Sequence, residues 1–287
     1  MPVQRRKPLT AKVGIFGVGH KIYWEQFEGL LPELMGYLDV FEKRVRGMGV
    51  ETVNFGMIDN AETAYSALPR IKAADCDLLF CDMLTYATSS TWGILIRELD
   101  VPVVMIALQP LQAMDYPNAT TYIQLCNDNI CSVPEFTGVA ERMGRRIPPV
   151  VIGTLEGDAE ADEEVASWCQ IAKVLHDLKG ARIGHFGHVL ESMLDMHSDP
   201  TAFTAHFGMH IVQTEIDELL RLEKSVTDSQ VEAKQAEILD MFDTPDPGAD
   251  PIARKLIPED LAYAARVAVA LDMFIERWAM PWFSYTD

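Results

Sequence analysis

The sequence predicts an α/β protein built from two doubly wound, Rossmann-like parallel-sheet domains, residues 1–180 and 181–287, the second expected to be incomplete. Three observations predict this class. Val13 to Phe16 is an unbroken apolar run, as a strand buried on both faces of a parallel sheet requires, and it ends in Gly17-Val-Gly19. Strand-like and helix-like patterns then alternate strictly as far as Leu108. From Ala181 the pattern restarts: Ala181-Arg-Ile-Gly-His-Phe-Gly187 repeats the basic residue, apolar core and glycine-ended turn of the opening strand.

The first strand ends where glycine lets the backbone turn without a blocking side chain. Phe27, Leu30, Leu31, Leu34, Leu38, Phe41 and Val45 then recur at helical spacing. Pro32 kinks this helix or starts its second part, and Gly47 and Gly49 end it. Glu51 to Phe55 reads as the second strand, Ala61 to Ala74 as a helix, and Asp77 to Asp82 as the third strand. The loop from Met83 to Ser90 and a short helix from Trp92 to Leu99 lead to a fourth strand, Val101 to Leu108. Gln109 to Arg146, punctuated by Pro110, Pro117 and Pro134, is expected to be a long loop with one helix near Thr121 to Cys131. Pro148 to Gly153 is the fifth strand. Acidic residues from Glu156 to Glu164 suit the N-terminus of a helix running to Lys179, with Gly180 as its C-cap.

In the second domain, Pro200 to Phe207 reads as a helix, Met209 to Glu215 as a strand and Val226 to Phe242 as an amphipathic helix. Asp243 to Pro251, rich in proline and aspartate, is expected to be an exposed loop. Glu259 to Ala279 is apolar on most faces, which predicts a buried helix, and Trp282 to Tyr285 reads as a strand.

Composition excludes several function classes. Hydrophobic residues at 48% supply a full core, and a net charge of −19 argues against nucleic acid or an anionic membrane as partner. No run of 18 uncharged apolar residues exists to span a membrane. The basic start, Met-Pro-Val-Gln-Arg-Arg-Lys-Pro, leads into no apolar segment, so no secretory signal and a cytoplasmic location are expected. The five cysteines form no Cys-x-x-Cys pair, which fits reduced thiols buried as small apolar residues.

The common catalytic motifs fit poorly. Gly17-x-Gly19 has Ile22 where a dinucleotide fingerprint needs its third glycine, and the second strand offers no carboxylate at its tip for a ribose. His185, His188, His197, His206 and His210, with Glu191 or Asp195, match no closed zinc spacing; His206 and His210 read as structural. There is no Gly-x-Ser-x-Gly or Walker loop, and Cys81, beside Asp82, has no base nearby in sequence. The strand-end loops are richer: His20 to Trp24, Thr85 with Tyr86, and Gln109 with Gln112 gather along one edge of a doubly wound sheet. Aromatic, amide and imidazole groups suit a neutral polyol better than a phosphate; the alternative is that Tyr23 and Tyr86 only pack the loop.

Several of these stretches together resemble the L-arabinose isomerase family of sugar isomerases. They are Gly19-His-Lys-Ile-Tyr23, Thr85-Tyr86-Ala87, Gln109, Leu125-Cys-Asn127, Glu135-Phe136 with Arg142, and the paired Phe186-Gly187 and Phe207-Gly208. The resemblance implies part of a metal-dependent aldose–ketose isomerase acting on a pentose or related neutral sugar. It implies that His20, Ile22, Tyr23, Tyr86 and Gln109 face the sugar in a neighbouring subunit's site, while Leu190 and Phe283 line the subunit's own. It also implies a homo-oligomer with shared sites and a divalent metal, manganese, in the complete enzyme. The family's two glutamates and two histidines that bind the ion fall beyond the position equivalent to Asp287, so no catalytic or metal-binding residue is expected within these 287 residues. His20 replaces a glutamine, His185 an arginine, and His188-Val-Leu190 an Asp-Asn-Met, which leaves the sugar open. Two other readings stand beside this one: a non-catalytic sugar-binding or assembly module, and a periplasmic-binding-like receptor, which the missing signal disfavours.

Overall fold

The computed structural model describes residues 10–243 and 257–278, and the backbone of Trp282–Tyr285. The chain divides into two compact units, Pro8–Asp177 and a second unit beginning at Leu178.

In the first unit β1 (Lys12–Val18), β2 (Glu51–Ile58), β3 (Leu78–Met83), β4 (Val103–Gln109) and β5 (Val150–Thr154) form one parallel sheet in the order β2-β1-β3-β4-β5. Its helices are α1 (Ile22–Gln26), α2 (Leu30–Gly47), α3 (Ala61–Ala74), α4 (Ser89–Ile96), α5 (Thr121–Cys126), α6 (Val133–Arg142) and α7 (Ala159–Leu178). The apolar runs are continuous because both faces are covered. In β3, Leu78 and Phe80 join a core with α2, α5 and α7, while Leu79, Cys81 and Met83 join a second core with α3, α4 and α6. The expected doubly wound α/β architecture is what this unit adopts.

Some expectations change in detail. Gly17 lies inside β1 rather than in a turn, and its glycine is needed for packing: a Cβ there would come within 2.3 Å of Leu84 Cδ1. β2 continues past Phe55 through Gly56, whose φ of 78° only glycine adopts without strain, beside a register shift against β1. Of the two readings of Pro32 the second holds: it kinks no helix but stands in the first turn of α2, the second part of the segment, where an N–H has no intrahelical acceptor. The same physics admits Pro134 to the start of α6, a helix in the stretch expected to be loop. The helix expected to reach Cys131 stops at Cys126. Four cysteines are buried free thiols, but Cys131 is exposed, against the expectation for it.

Asn60 caps α3 reciprocally: its Oδ1 accepts from Thr63 N at 2.8 Å, and Thr63 Oγ1 accepts from Asn60 N at 3.1 Å. Asn60→Ala should therefore cost about 1 kcal/mol of stability, read as a lower urea midpoint at unchanged slope. An unmoved midpoint would mean that the cap contributes nothing.

The second unit contains β6 (Arg182–Phe186), β7 (His210–Thr214) and β8 (Trp282–Tyr285), parallel in the order β7-β6-β8. Its helices are α8 (Pro200–Phe207), α9 (Ile216–Glu223), α10 (Asp228–Met241) and α11 (Pro258–Trp278). α8 has the bounds expected of it, and α9 was not anticipated. α11 is not a fully buried helix: it buries the stripe Ala265, Val269, Ala270 and Phe274 against Val212, Leu219 and Val231. Leu271, Met273 and Trp278 pack against this stripe only partly buried, and Tyr263 is exposed. The basic N-terminus and the expected loop after Asp243 lie outside the described residues. Among the described residues no helix is long and apolar enough to cross a membrane.

Candidate functional site

The strand order of the first unit reverses between β1 and β3, and in open α/β sheets ligands bind in the crevice outside the strand carboxyl ends at that switch point. Residues that leave those two ends meet there. His20, just after β1, packs its ring edge-on to Tyr23 with centroids 5.2 Å apart, and to Tyr86, just after β3, at 6.2 Å. All three rings are half-buried, and Ile22 beside them is exposed.

Each side of this cluster is braced. Trp24 Nε1 donates to Asp59 Oδ2 at 2.6 Å, and Lys21 N donates to Asp59 O at 3.2 Å, which ties the β1 loop to the end of β2. Between these loops and the starts of α3 and α4 lies an open cleft of about 400 Å³, lined by His20, Lys21, Ile22, Glu25, Asp59 and Ser90 among others. On the other side, Glu135 of α6 accepts from Ser89 N at 2.8 Å, and its second oxygen lies 3.4 Å from the Tyr86 hydroxyl. Ser132 Oγ accepts from Ala87 N at 2.7 Å, and Trp92 stacks on Phe136 at 5.4 Å while donating to its carbonyl. The β3–α4 loop is thus stapled to α6.

Electrostatics keep the phenols protonated. Burial, with Asp128 nearby, raises the Tyr23 pKa, and the Glu135 charge is the main cause raising that of Tyr86. Burial also raises the Asp128 carboxyl, against a hydrogen bond from Cys131 that lowers it. Cys131, exposed but with its thiol partly desolvated, is raised by that desolvation and by Asp128, which disfavours a nucleophilic thiolate. Cys81 is likewise pushed well up by burial, and its thiol faces Met83 Sδ at 3.9 Å. The arrangement offers hydroxyl donors, an imidazole and carboxylate acceptors around aromatic faces, which is equipment for binding hydroxyl-rich molecules.

The other candidate positions lie apart from this cluster. Gln109 ends β4, one strand beyond β3, and its amide donates to Leu111 O at 2.7 Å, so it is engaged by its own loop. Leu111 N in turn donates to Asn127 Oδ1 at 2.9 Å. α5 is held by a clamp in which the Tyr37 and Tyr122 hydroxyls each donate to Glu33 at 2.6 Å. Those bonds lower the Glu33 pKa and raise that of Tyr122 to about 12. Leu190 belongs to the second unit, where it is exposed between β6 and α8. The Phe283 backbone pairs with Gly184, and its side chain lies outside the described residues. Asp128 escaped sequence reasoning, and Glu135 entered it only within a family pattern. The Tyr86–Glu135 contact joins residues 49 apart, which no local pattern reveals.

No protein-family model matches the chain. The L-arabinose isomerase of Cellvibrio japonicus is 22% identical over 160 residues, covering 56% of this chain and 32% of that protein. The L-arabinose isomerases of Aeromonas hydrophila and Aeromonas salmonicida are each 22% identical over 162 residues, with the same coverage. A solved structure of a conserved domain protein from Vibrio cholerae O1 aligns over 92% of this chain and 71% of its own at 13% identity, with a TM-score of 0.29. The matched region spans about a third of the length of the isomerases. The chain is therefore distantly similar to L-arabinose isomerases over about half of its length.

Proposed function

We propose that this chain has a sugar-isomerase-like role, in which the carboxyl-edge loops of its first unit hold and orient a pentose or a related neutral sugar. One observation carries the reading: the His20, Tyr23 and Tyr86 rings converge at the β1/β3 switch point. The distant similarity to L-arabinose isomerases supports it. The protonated phenols donate to sugar oxygens, His20 exchanges hydrogen bonds with them, and the ring faces cover the sugar's C–H faces. Ile22 extends this lip, Gln109 at the neighbouring strand end reaches the sugar by giving up its bond to Leu111 O, Leu190 and Phe283 belong to a site of the second unit, and copies of the chain share sites in a homo-oligomer. A bound divalent metal such as manganese would polarise the carbonyl and hydroxyl of an open-chain sugar. Among the described residues no three His, Cys, Asp or Glu converge to hold an ion, so no step is derived through one.

Calorimetric titration with L-arabinose and L-ribulose tests the lip. Tyr23→Ala and Gln109→Ala should each weaken binding about tenfold, or about 1.4 kcal/mol, while Tyr23→Phe separates the hydroxyl from the ring. Unchanged isotherms for both alanine variants would remove the assigned edge. Absence of saturable binding of any pentose by the unaltered protein would remove the sugar reading. Assaying ketose formation with manganese separates isomerisation from sugar binding alone.

A further inference from the structure

We infer that the opposite, amino-terminal edge of the first unit's sheet carries a second small-molecule site, for an organic anion with an apolar body such as a small aromatic carboxylate. A cavity of about 280 Å³ lies among the residues that enter β4 and β5, the end of α4 and the flank of α7. This is near the lower end of small-ligand pocket sizes, so the ligand is small. Its walls are Ile96, Leu99, Val103, Pro148 and the half-buried Trp168, a flat surface suited to an aromatic ring. Pro102, Pro148 and Pro149 stiffen its rim, so the space is preformed.

The mouth is basic in a chain whose net charge is −19. The Arg145 guanidinium donates to Leu99 O and pairs with Asp100 at 3.1 Å, which holds it in place. Arg146 beside it is exposed and pairs with no acid among the described residues. A guanidinium over hydrocarbon walls suits a carboxylate, which takes two parallel N–H bonds and leaves its apolar part to the walls. Inorganic phosphate would lose water to those walls with nothing in return. This cavity lies at the other ends of the strands from His20 and Tyr86, and its assignment does not depend on the sugar reading.

The test uses the full chain, with phenylacetate as probe and phenylacetamide and inorganic phosphate as controls, by calorimetry and tryptophan fluorescence. Saturable phenylacetate binding is expected, at least tenfold tighter than either control. Arg146→Ala, a surface change that leaves the core intact, should weaken it tenfold or more. Trp168→Ala, which removes the flat wall, should weaken the calorimetric binding tenfold or more and lose the fluorescence change. No binding, equal affinity for the neutral amide or for phosphate, or an Arg146→Ala isotherm matching the unaltered protein would each overturn the site.

Discussion

Replacing Asp82 by asparagine is expected to make stability far less sensitive to pH between about 5 and 8. Asp82 is 3% exposed near the carboxyl end of the central strand β3, opposite Gly17 and Ile106. By strand alternation it points with Leu78 and Phe80 toward α2 and α7. Burial pushes its pKa up to about 8, and the Arg44 guanidinium, which is itself paired with Asp162 at 3.0 Å, draws it only partly back. In the unfolded chain the same group titrates near 3.9. The native state therefore holds a proton that the unfolded chain has released between those limits. The stability belonging to the protonated carboxyl is fully present below about pH 4 and is lost as the pH rises through about 8. Each pH unit in that window costs about 1.4 kcal/mol. An asparagine amide carries its own burial cost, but one independent of pH. The gap between variant and unaltered protein should thus shift in the variant's favour by on the order of 3–4 kcal/mol from pH 5 to 8, measured by urea unfolding. Parallel pH profiles would show that Asp82 is ionised throughout.

Trp92→Ala should produce the largest simple loss of stability, about 3–5 kcal/mol. Trp92 is fully buried, stacks on Phe136 at an interplanar angle of 12°, and donates from Nε1 to Phe136 O at 2.9 Å. Truncation leaves a cavity and orphans a buried carbonyl at once. Because Glu135 precedes Phe136 and touches Tyr86, the variant should also bind sugar more weakly, whereas Trp92→Phe should keep much of both. A loss below about 1 kcal/mol in denaturant would mean that the loop is held elsewhere.

The parts of the fold legible in the sequence are those with local causes. The bounds of α3 follow from its Asn60 cap, and those of α8 from Pro200 in its first turn, after Asp199, whose side chain accepts from Thr201 N. The inner strands β1, β3 and β4 are readable because burial on both faces leaves almost no polar residue inside them, whereas the edge strand β2 is half-buried and carries Thr52 and Asn54. Asp82 is the exception, and its carboxyl is the one acidic group among the β3 side chains. α6 is hidden because Pro134 reads as a breaker unless its place in the first turn is known. The candidate site is legible as a set of strand-end residues, but the ring contacts of His20 depend on β1 and β3 being neighbours, a fact of strand order rather than of spacing. That Gln109 is occupied by Leu111 is likewise visible only in three dimensions.

The way the β4–α5 segment is moored has an engineering consequence. Residues 110–120 run largely exposed between Gln109 and α5, with Tyr116 at 82% exposure, while Asn127 and the Glu33 clamp fasten α5 at the far end. With both ends anchored to the scaffold, the intervening stretch behaves as an exchangeable cassette. Doubling its length would add only about 0.6 kcal/mol of closure entropy. Grafting shorter or longer inserts there could retune what the rim admits while every packed layer beneath keeps its register.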